Sequence, residues 1–338
     1  MMEIYSYTDR NYSLPPSEIN GELWPVQFLS GFSEFYKNHY HKNILLVRDT
    51  KLNAWLPIAI ESKMFIRESQ FLNAPIRNGI ELDSTEQLLF FNKLIQTLTK
   101  KHIAHRIIQP HPAGIISAVP QNAKWIPFGT YITQLALFAT DEELLNSYDP
   151  KYKKAIQHSI KNGAVVKFGK EVYNDFYSLY CMTTKRAGIH QDTEKYFDDC
   201  RKYLSDDNTL TAVVYDGDQP IGGIFINYSK HTSLCTHAGS GGTSKLYGGV
   251  KYLHYETMKK LRDLGVQKYD LVGVRIGSQN EALEGVFRFK KGFGGILKEG
   301  YLWKIDLANT PVKIYDLIQK IKNRDIKGDI IDQELMAA

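Results

Sequence analysis

The amino-acid sequence predicts an α+β protein of two domains, each with a mixed, mainly antiparallel sheet flanked by helices. The chain has 338 residues, a length that suits two domains of roughly 150 residues each. Its 43% hydrophobic and 23% charged residues are ordinary for a globular protein. Short β-rich runs alternate with helical patterns in both halves, and this alternation decides the fold class.

The first domain is predicted to span residues 1–145. Apolar residues at helical spacing follow Ser84, which is a suitable N-terminal cap for a helix. Strands are predicted on both sides of this helix, at 44–47, 55–60, 64–72, 105–109 and 131–138.

The second domain is predicted to span 146–309. Its strongest local signal is a hairpin, in which a turn at 216–220 joins two apolar strands. A loop with five glycines, at 239–249, precedes an amphipathic helix that ends at Gly265. In chain order we predict a helix at 150–161, a strand at 164–168, helices at 172–186 and 193–204, strands at 210–215, 221–228 and 233–237, a helix from 250 and a strand at 269–272. A last helix within 310–325 is expected to pack back on the first domain.

The order of elements in the second domain is that of a GNAT acyltransferase core. Two helices, a hairpin, a strand, a Gly-rich loop, a helix and a strand follow one another there. The first domain shows a weaker version of the same order. We therefore predict two tandem GNAT-like domains.

Composition excludes several classes of protein. A net charge of +5 is mildly basic and fits an anionic ligand at one site better than a general nucleic-acid surface. The three cysteines lack C-x-x-C spacing, and the histidines at 102, 105 and 111 lack metal-ligand spacing, so we expect no disulfide framework and no metal. Residues 1–16 do not resemble a signal peptide, and no apolar run approaches about 18 residues. We expect a cytoplasmic protein without stable membrane insertion, as a monomer or weak dimer.

Four stretches of the second half resemble the FemABX peptidyltransferases. They lie at 152–166, 176–197, 253–273 and 285–295. The last, GVFRFKKGFGG, is the most specific. Only about 40 residues separate Gly169 from Thr209, too few for the coiled-coil arm of the longer members. The chain therefore resembles the short, arm-free, FemX-like type.

The resemblance implies amide formation by aminoacyl transfer. The donor would be an aminoacyl-tRNA, and no other cofactor is implied. The acceptor would be an amine of a nucleotide- or lipid-linked cell-envelope precursor, either a muropeptide or an amino sugar.

Lys290 is the leading candidate for the reaction centre. Ester-to-amide transfer develops negative charge on the carbonyl oxygen, and a donor aimed at that oxygen accelerates it. If residues 287–291 are extended, Phe289 faces inward while Arg288 and Lys290 face the cleft. The resemblance also places the lysine after Phe-Arg-Phe at the reaction centre. The alternative is that the three basic residues at 288, 290 and 291 only form a solvent-exposed basic surface.

Phosphate groups are expected on the basic helix at 150–161. The resemblance puts a basic residue near this helix in contact with nucleotide phosphates, so Lys153 and Lys154 are candidates, and it suggests Lys37 for the first domain. An ordinary solvated helix face is the alternative.

The remaining candidate site residues could be functional or structural. Arg186, Tyr177, Tyr196 and Tyr255 would line the cleft and contact substrate, or be structural. Asp270 would orient the incoming amine or cap the following turn. Lys245, Gly248 and Gly249 belong to a degenerate form of the phosphate loop of acetyl-CoA enzymes, which favours a tRNA donor.

Two other functions remain open. The first is an acyl-CoA-dependent N-acyltransferase that acts on an amino sugar of a surface polysaccharide. The second is a non-catalytic GNAT-fold module that only binds its ligand.

Overall fold

The computed structural model describes residues 1–20, 23–241, 246–278, 280–322 and 328–337. The strands are β1 (Met2–Tyr5), β2 (Asn43–Asp49), β3 (Ala54–Lys63), β4 (Ile66–Phe71), β5 (Ile76–Arg77), β6 (Ile80–Glu81), β7 (Arg106–Ile108), β8 (Lys124–Gln134), β9 (Val165–Phe168), β10 (Thr209–Asp216), β11 (Gln219–Tyr228), β12 (Ser233–Ser240), β13 (Lys268–Asp270), β14 (Val274–Arg275) and β15 (Ile296–Asp306). The helices are α1 (Ser30–Tyr40), α2 (Ser84–Lys100), α3 (Asp141–Asn146), α4 (Pro150–Lys161), α5 (Tyr173–Ala187), α6 (Glu194–Leu204), α7 (Gly249–Asp263), α8 (Glu281–Lys291), α9 (Asn309–Ile321) and α10 (Ile330–Ala337).

The strands form one continuous, mainly antiparallel sheet. Its main path runs β1-β2-β3-β4-β7-β15-β8-β13-β12-β11-β10-β9. Two pairs are parallel, β4 with β7 and β12 with β13. A helix connects the strands of each parallel pair, α2 in the first half and α7 in the second. The same strand–helix–strand unit thus occurs twice, and the predicted α+β fold with tandem GNAT-like halves is confirmed.

The two halves share strands. β15 pairs with β8 from Ile296 to Lys304 and then with β7 at Ile305 and Asp306. β8 precedes the boundary predicted at residue 145, yet it pairs with β13, β14 and β15 from beyond it. The boundary itself stays a prediction.

Helices cover both faces of the second half's sheet. Successive residues of a strand point to opposite faces, so Val213 and Phe225 pack with α1, α5 and α6, whereas Val214 and Ile226 pack with α4 and α7. Helix α9 lies against the first half, where Asp316 pairs with Arg106. The two faces define the two sides from which ligands can approach.

The predicted conformation of residues 287–291 was wrong. They form the end of helix α8 and are not extended. Asn280 caps this helix through its side chain, which accepts from the backbone N–H groups of Ala282 and Leu283. Acidic residues in the first turn and basic residues in the last turn also stabilise it through the helix dipole.

Candidate active site

An opening lies between β12 and β13 in the sheet of the second half. The two strands pair at only two positions, Ser233 with Tyr269 and Leu234 with Asp270. β12 then continues to Ser240, while the chain after β13 turns to β14, which pairs with β8. The strands therefore separate, and we call the gap the sheet opening.

Lys290 reaches the sheet opening from α8. Its ammonium donates to the backbone carbonyls of Val272, at 2.5 Å, and Gly273, at 2.7 Å. Val272 has a φ of 47°, which is unusual for a β-branched residue, and Gly273 has a φ of 71°. Burial lowers the pKa of Lys290 to about 8, although Cys235 and Asp270 act in the other direction. At neutral pH the side chain is a cation with few protein partners.

Asp270 supports the turn that carries these carbonyls. It is buried and accepts hydrogen bonds from the Thr130 hydroxyl and, at 2.7 Å, from the backbone N–H of Val272. Burial raises the pKa of Asp270, and the two hydrogen bonds oppose that rise. This geometry corresponds to the turn-capping role, the second of the two considered for this residue.

Three neutral groups surround the lysine, and the sequence did not single them out. His254 Nδ1 and the Tyr269 hydroxyl form a hydrogen bond of 2.8 Å. Burial and the charge of Lys290 lower the pKa of His254 to about 3, so the imidazole stays neutral. Burial raises the pKa of Cys235 to about 11, so its thiol is not a ready nucleophile. The chemistry available is therefore cationic hydrogen-bond donation.

Aromatic packing fixes α8 against α4 and α7. The Phe289 ring lies 5.1 Å from that of Phe293 and 5.8 Å from that of His254. The Tyr152 hydroxyl donates to the Phe289 carbonyl at 3.0 Å. Arg288, by contrast, is exposed and forms no ion pair with any residue that the structure describes. The helix therefore positions Lys290 and leaves Arg288 in solvent.

The lysines predicted to bind nucleotide phosphates and the predicted donor loop lie where α4 meets the start of α7. Lys153 donates to the Asn146 side chain at 2.8 Å, and Lys154 is exposed. Gly248 has a φ of 96°, and a Cβ there would lie 2.4 Å from the Ala155 carbonyl oxygen. Gly249 is the first residue of α7. Lys245 lies outside the described residues.

The other predicted residues are spread over the molecule. Arg186 donates to the Ser240 hydroxyl at 3.4 Å, beside the Gly-rich loop. Tyr177 donates weakly to the Asp192 carbonyl at 3.5 Å.

Tyr255 donates to the Asp141 carbonyl at 3.0 Å and belongs to the packing of α7 on α3. Lys37 donates to the Thr8 carbonyl at 3.2 Å on the surface of the first half. The structure does not bring Tyr255 or Lys37 to Lys290.

Tyr196 lines a pocket of about 260 Å³ on the sheet face covered by α1, α5 and α6. We call it the aromatic pocket; it is lined by Gln27, Phe32, Phe35, Tyr36, Tyr40, Lys42, Gln70, His111, Tyr196, Asn227, Leu234 and Thr236. Apart from Tyr196, these residues were not predicted, because they come from both halves and no local pattern connects them. Leu234 is the register partner of Asp270, so the pocket adjoins the sheet opening.

The fold is that of two tandem GNAT-like halves. A sequence model described as the FemAB family matches residues 130–216 and 210–322, more than half of the chain. The chain belongs to the FemAB family, and it is a transferase.

Several solved structures are similar to this chain at low sequence identity. The crystal structure of FemX is 15% identical with a TM-score of 0.62, over 86% of this chain and 94% of that one. The C-terminal domain of a putative lysylphosphatidylglycerol synthetase from Agrobacterium fabrum is 12% identical with a TM-score of 0.49, over 83% and 88%. A tandem GNAT protein of clavulanic acid biosynthesis is 8% identical with a TM-score of 0.46, over 91% and 99%. No curated protein matches the chain.

Within the described ranges, no helix is both long and apolar enough to cross a bilayer.

Proposed function

We propose that this protein transfers an aminoacyl group from aminoacyl-tRNA to an amine of a cell-envelope precursor, either a muropeptide or an amino sugar. The observation that carries the proposal is the Lys290 ammonium at the sheet opening, held by two backbone carbonyls. Membership of the FemAB family supports the peptidoglycan-related acceptor. The reaction needs no cofactor besides its donor, and charged tRNA places it in the cytoplasm.

Lys290 suits the stabilisation of an oxyanion. An ammonium has three N–H donors, and two are directed at Val272 and Gly273, so one remains for the substrate carbonyl oxygen. In the reaction the acceptor nitrogen attacks the ester carbon, the C–N bond forms and the C–O bond to the tRNA ribose breaks. The proton lost by the amine balances the one gained by the ribose oxygen. One such donor is worth about 10²–10³ in rate.

The two ligands would approach from opposite faces. Helix α4 carries Lys151, Lys153, Lys154 and Lys161 and lies beside the start of α7, so this face suits the phosphates of the donor. The aromatic pocket lies on the other face and suits the acceptor. The sheet opening connects them.

One observation favours an acyl-CoA donor as the second candidate. α7 begins at Gly249, after Gly248, and no side chain among the described residues caps it, so its N-terminus suits a pyrophosphate. The acceptor would then be an amino sugar of a surface polysaccharide.

A transfer assay separates the candidates. Purified protein is incubated with tRNA charged with a mixture of labelled amino acids, or with labelled acetyl-CoA, and with UDP-muropeptides or amino sugars. We expect label from tRNA in the acceptor, as an alkali-stable amide. Transfer from acetyl-CoA alone would support the second candidate, and no transfer from either donor would contradict both and favour a binding module.

A further inference from the structure

Helix α9 carries apolar side chains on two opposite faces. Its inner face packs on the first half through Val312 and Tyr315, which are buried. Ile314, Leu317 and Ile321 follow one another at helical spacing on the outer face, where they are 49%, 58% and 72% exposed. A surface helix normally presents polar residues to water, so packing within the chain does not account for this outer stripe.

The hairpin between β3 and β4 adds two exposed apolar residues beside this helix. Lys63 is the register partner of Ile66, so Met64 and Phe65 form the whole turn, and they are 63% and 45% exposed. The centroid of the Phe65 ring lies 6.3 Å from that of Tyr315, which places the hairpin tip against α9. We call the exposed apolar residues of the tip and of the outer stripe the apolar patch: Met64, Phe65, Ile314, Leu317 and Ile321.

The residues of the hairpin tip do not suit the turn that they form. Two-residue hairpin turns favour Asn, Asp or Gly, because these turns need positive φ angles. Met64 has a φ of 52°, which is unfavourable for a residue with a long side chain. Residues that are held in such conformations despite the local cost are typical of functional sites.

Lysines flank the outer stripe of α9. On the helix surface, Lys313 and Lys320 lie on one side of the stripe and Lys322 lies on the other, and all three are exposed. The one carboxylate of the helix, Asp316, pairs with Arg106 at 3.0 Å. The outer face of α9 is therefore apolar and cationic, and this combination fits a partner that is both apolar and anionic.

We infer that the apolar patch docks the protein on a bilayer that contains anionic phospholipid. An apolar stripe flanked by lysines is the pattern of helices that lie in the membrane interface. The apolar side chains enter the boundary of the acyl chains, while the lysines extend to the phosphate groups. A fluid bilayer also needs no cavity that matches the hairpin tip, whereas an interface with another protein depends on complementary shape.

The docking goes beyond the proposed function and does not depend on it. It would keep the protein at the surface where a lipid-linked precursor is found, and only this consequence rests on the proposed acceptor. Either claim can fail while the other holds, because the binding is measured without donor or acceptor.

Vesicle flotation of the full chain tests the inference. Vesicles of phosphatidylcholine alone are compared with vesicles in which one third of the lipid is phosphatidylglycerol. At about 0.1 M salt we expect at least about tenfold stronger partition to the anionic vesicles, and we expect it to decrease as salt is added. No binding to the anionic vesicles, or equal binding to both kinds, would overturn the inference.

Variants of the apolar residues assign the binding to the patch. Phe65→Ser and Leu317→Gln each remove an apolar side chain from the lipid contact, so we expect each to weaken partition by at least about fivefold. Both positions are exposed, and circular dichroism should show an unchanged fold. Leu89→Gln is the matched control, because Leu89 is 52% exposed on α2 outside the patch. Undiminished partition of both folded patch variants would overturn the inference.

Variants of the lysines test the charge complementarity. We expect Lys313→Gln and Lys320→Gln each to weaken partition to the anionic vesicles by about fivefold. Lys260→Gln, at an exposed position of α7 in the second half, makes the same change of net charge and should bind like the unchanged protein. An equal loss in all three variants would overturn the inference, since net charge rather than the patch would then determine the binding.

The alternative occupant of the apolar patch is a second copy of the chain. Sedimentation velocity without lipid distinguishes the two occupants. We expect a monomer, both for the unchanged protein and for Leu317→Gln. A dimer that dissociates in Leu317→Gln would overturn the inference, because the patch would then be covered by the partner copy.

Discussion

At the scale of single residues, the site depends on one cation in a neutral setting. Lys290 is surrounded by backbone carbonyls, a thiol, a phenol and a neutral imidazole. Desolvation lowers its pKa because the charged form loses water, and Asp270 offsets only part of this loss. The lysine is thus mostly charged at neutral pH, but its pKa of about 8 lies only slightly above neutral pH.

This shift predicts how the reaction depends on pH. The ammonium is the donor, so single-turnover transfer from aminoacyl-tRNA should decrease as the pH rises through about 8. Lys290→Arg should transfer more slowly but without this decrease, because arginine stays protonated. Rates would be measured from pH 6 to 10 and corrected for hydrolysis of the ester without enzyme. The same decrease in both proteins would assign the titration to another group.

The sequence predicted Lys290 but not its neighbours. The Phe-Arg-Phe-Lys motif drew attention to the lysine, whereas Cys235, His254 and Tyr269 come from three elements far apart in the chain. Each looks like an ordinary apolar or core residue in its own segment. Only the pairing of β12 with β13 and the packing of α7 bring them together, so no local pattern could reveal the cluster.

At the scale of elements, α8 shows how a short pattern misleads. Phe287, Arg288, Phe289 and Lys290 alternate apolar and basic residues, which predicts a strand when only these positions are weighed. The signals for a helix lie outside the motif, in the cap at Asn280 and the charges at both ends. The helix still directs Lys290 to the sheet opening.

The contact between α4 and α7 should be sensitive to one methyl group. Gly248→Ala would place a Cβ against the Ala155 carbonyl and also strain a φ of 96°, so we expect a loss of at least about 2 kcal/mol in unfolding free energy. Gly163→Ala is the matched control, since its φ is 78° but nothing lies within 4 Å. It should cost about 1 kcal/mol. Urea unfolding of both variants measures the difference, and equal losses would refute the close approach.

At the scale of the whole molecule, the two halves are joined by shared strands. The order of elements predicted the repeated core, but not the continuous sheet. β15 was not predicted, because Lys298, Glu299 and Gly300 interrupt its apolar pattern. Its pairing with both β7 and β8 depends on residues that lie more than 160 positions earlier in the chain, so no local sequence pattern indicates it.

The shared strands predict that the first half does not fold alone. A fragment of residues 1–145 contains β8 but lacks β13, β14 and β15, so both edges of β8 and one edge of β7 would be bare. We expect the fragment to be unfolded or aggregated by circular dichroism and gel filtration. The full chain should unfold in one transition by fluorescence and circular dichroism. A stable, monomeric fragment would instead support an autonomous domain that ends near residue 145.

The central claim is that Lys290 stabilises the transition state of acyl transfer, and one comparison tests it most directly. Single-turnover transfer from aminoacyl-tRNA to the best acceptor is measured for the unchanged protein, Lys290→Met and Lys291→Met. Lys291 is the adjacent, exposed residue of the same helix and is the control. We predict that Lys290→Met lowers the rate by about 10²–10³ while Lys291→Met changes it by less than about threefold. A folded Lys290→Met protein that transfers as fast as Lys291→Met would contradict the claim.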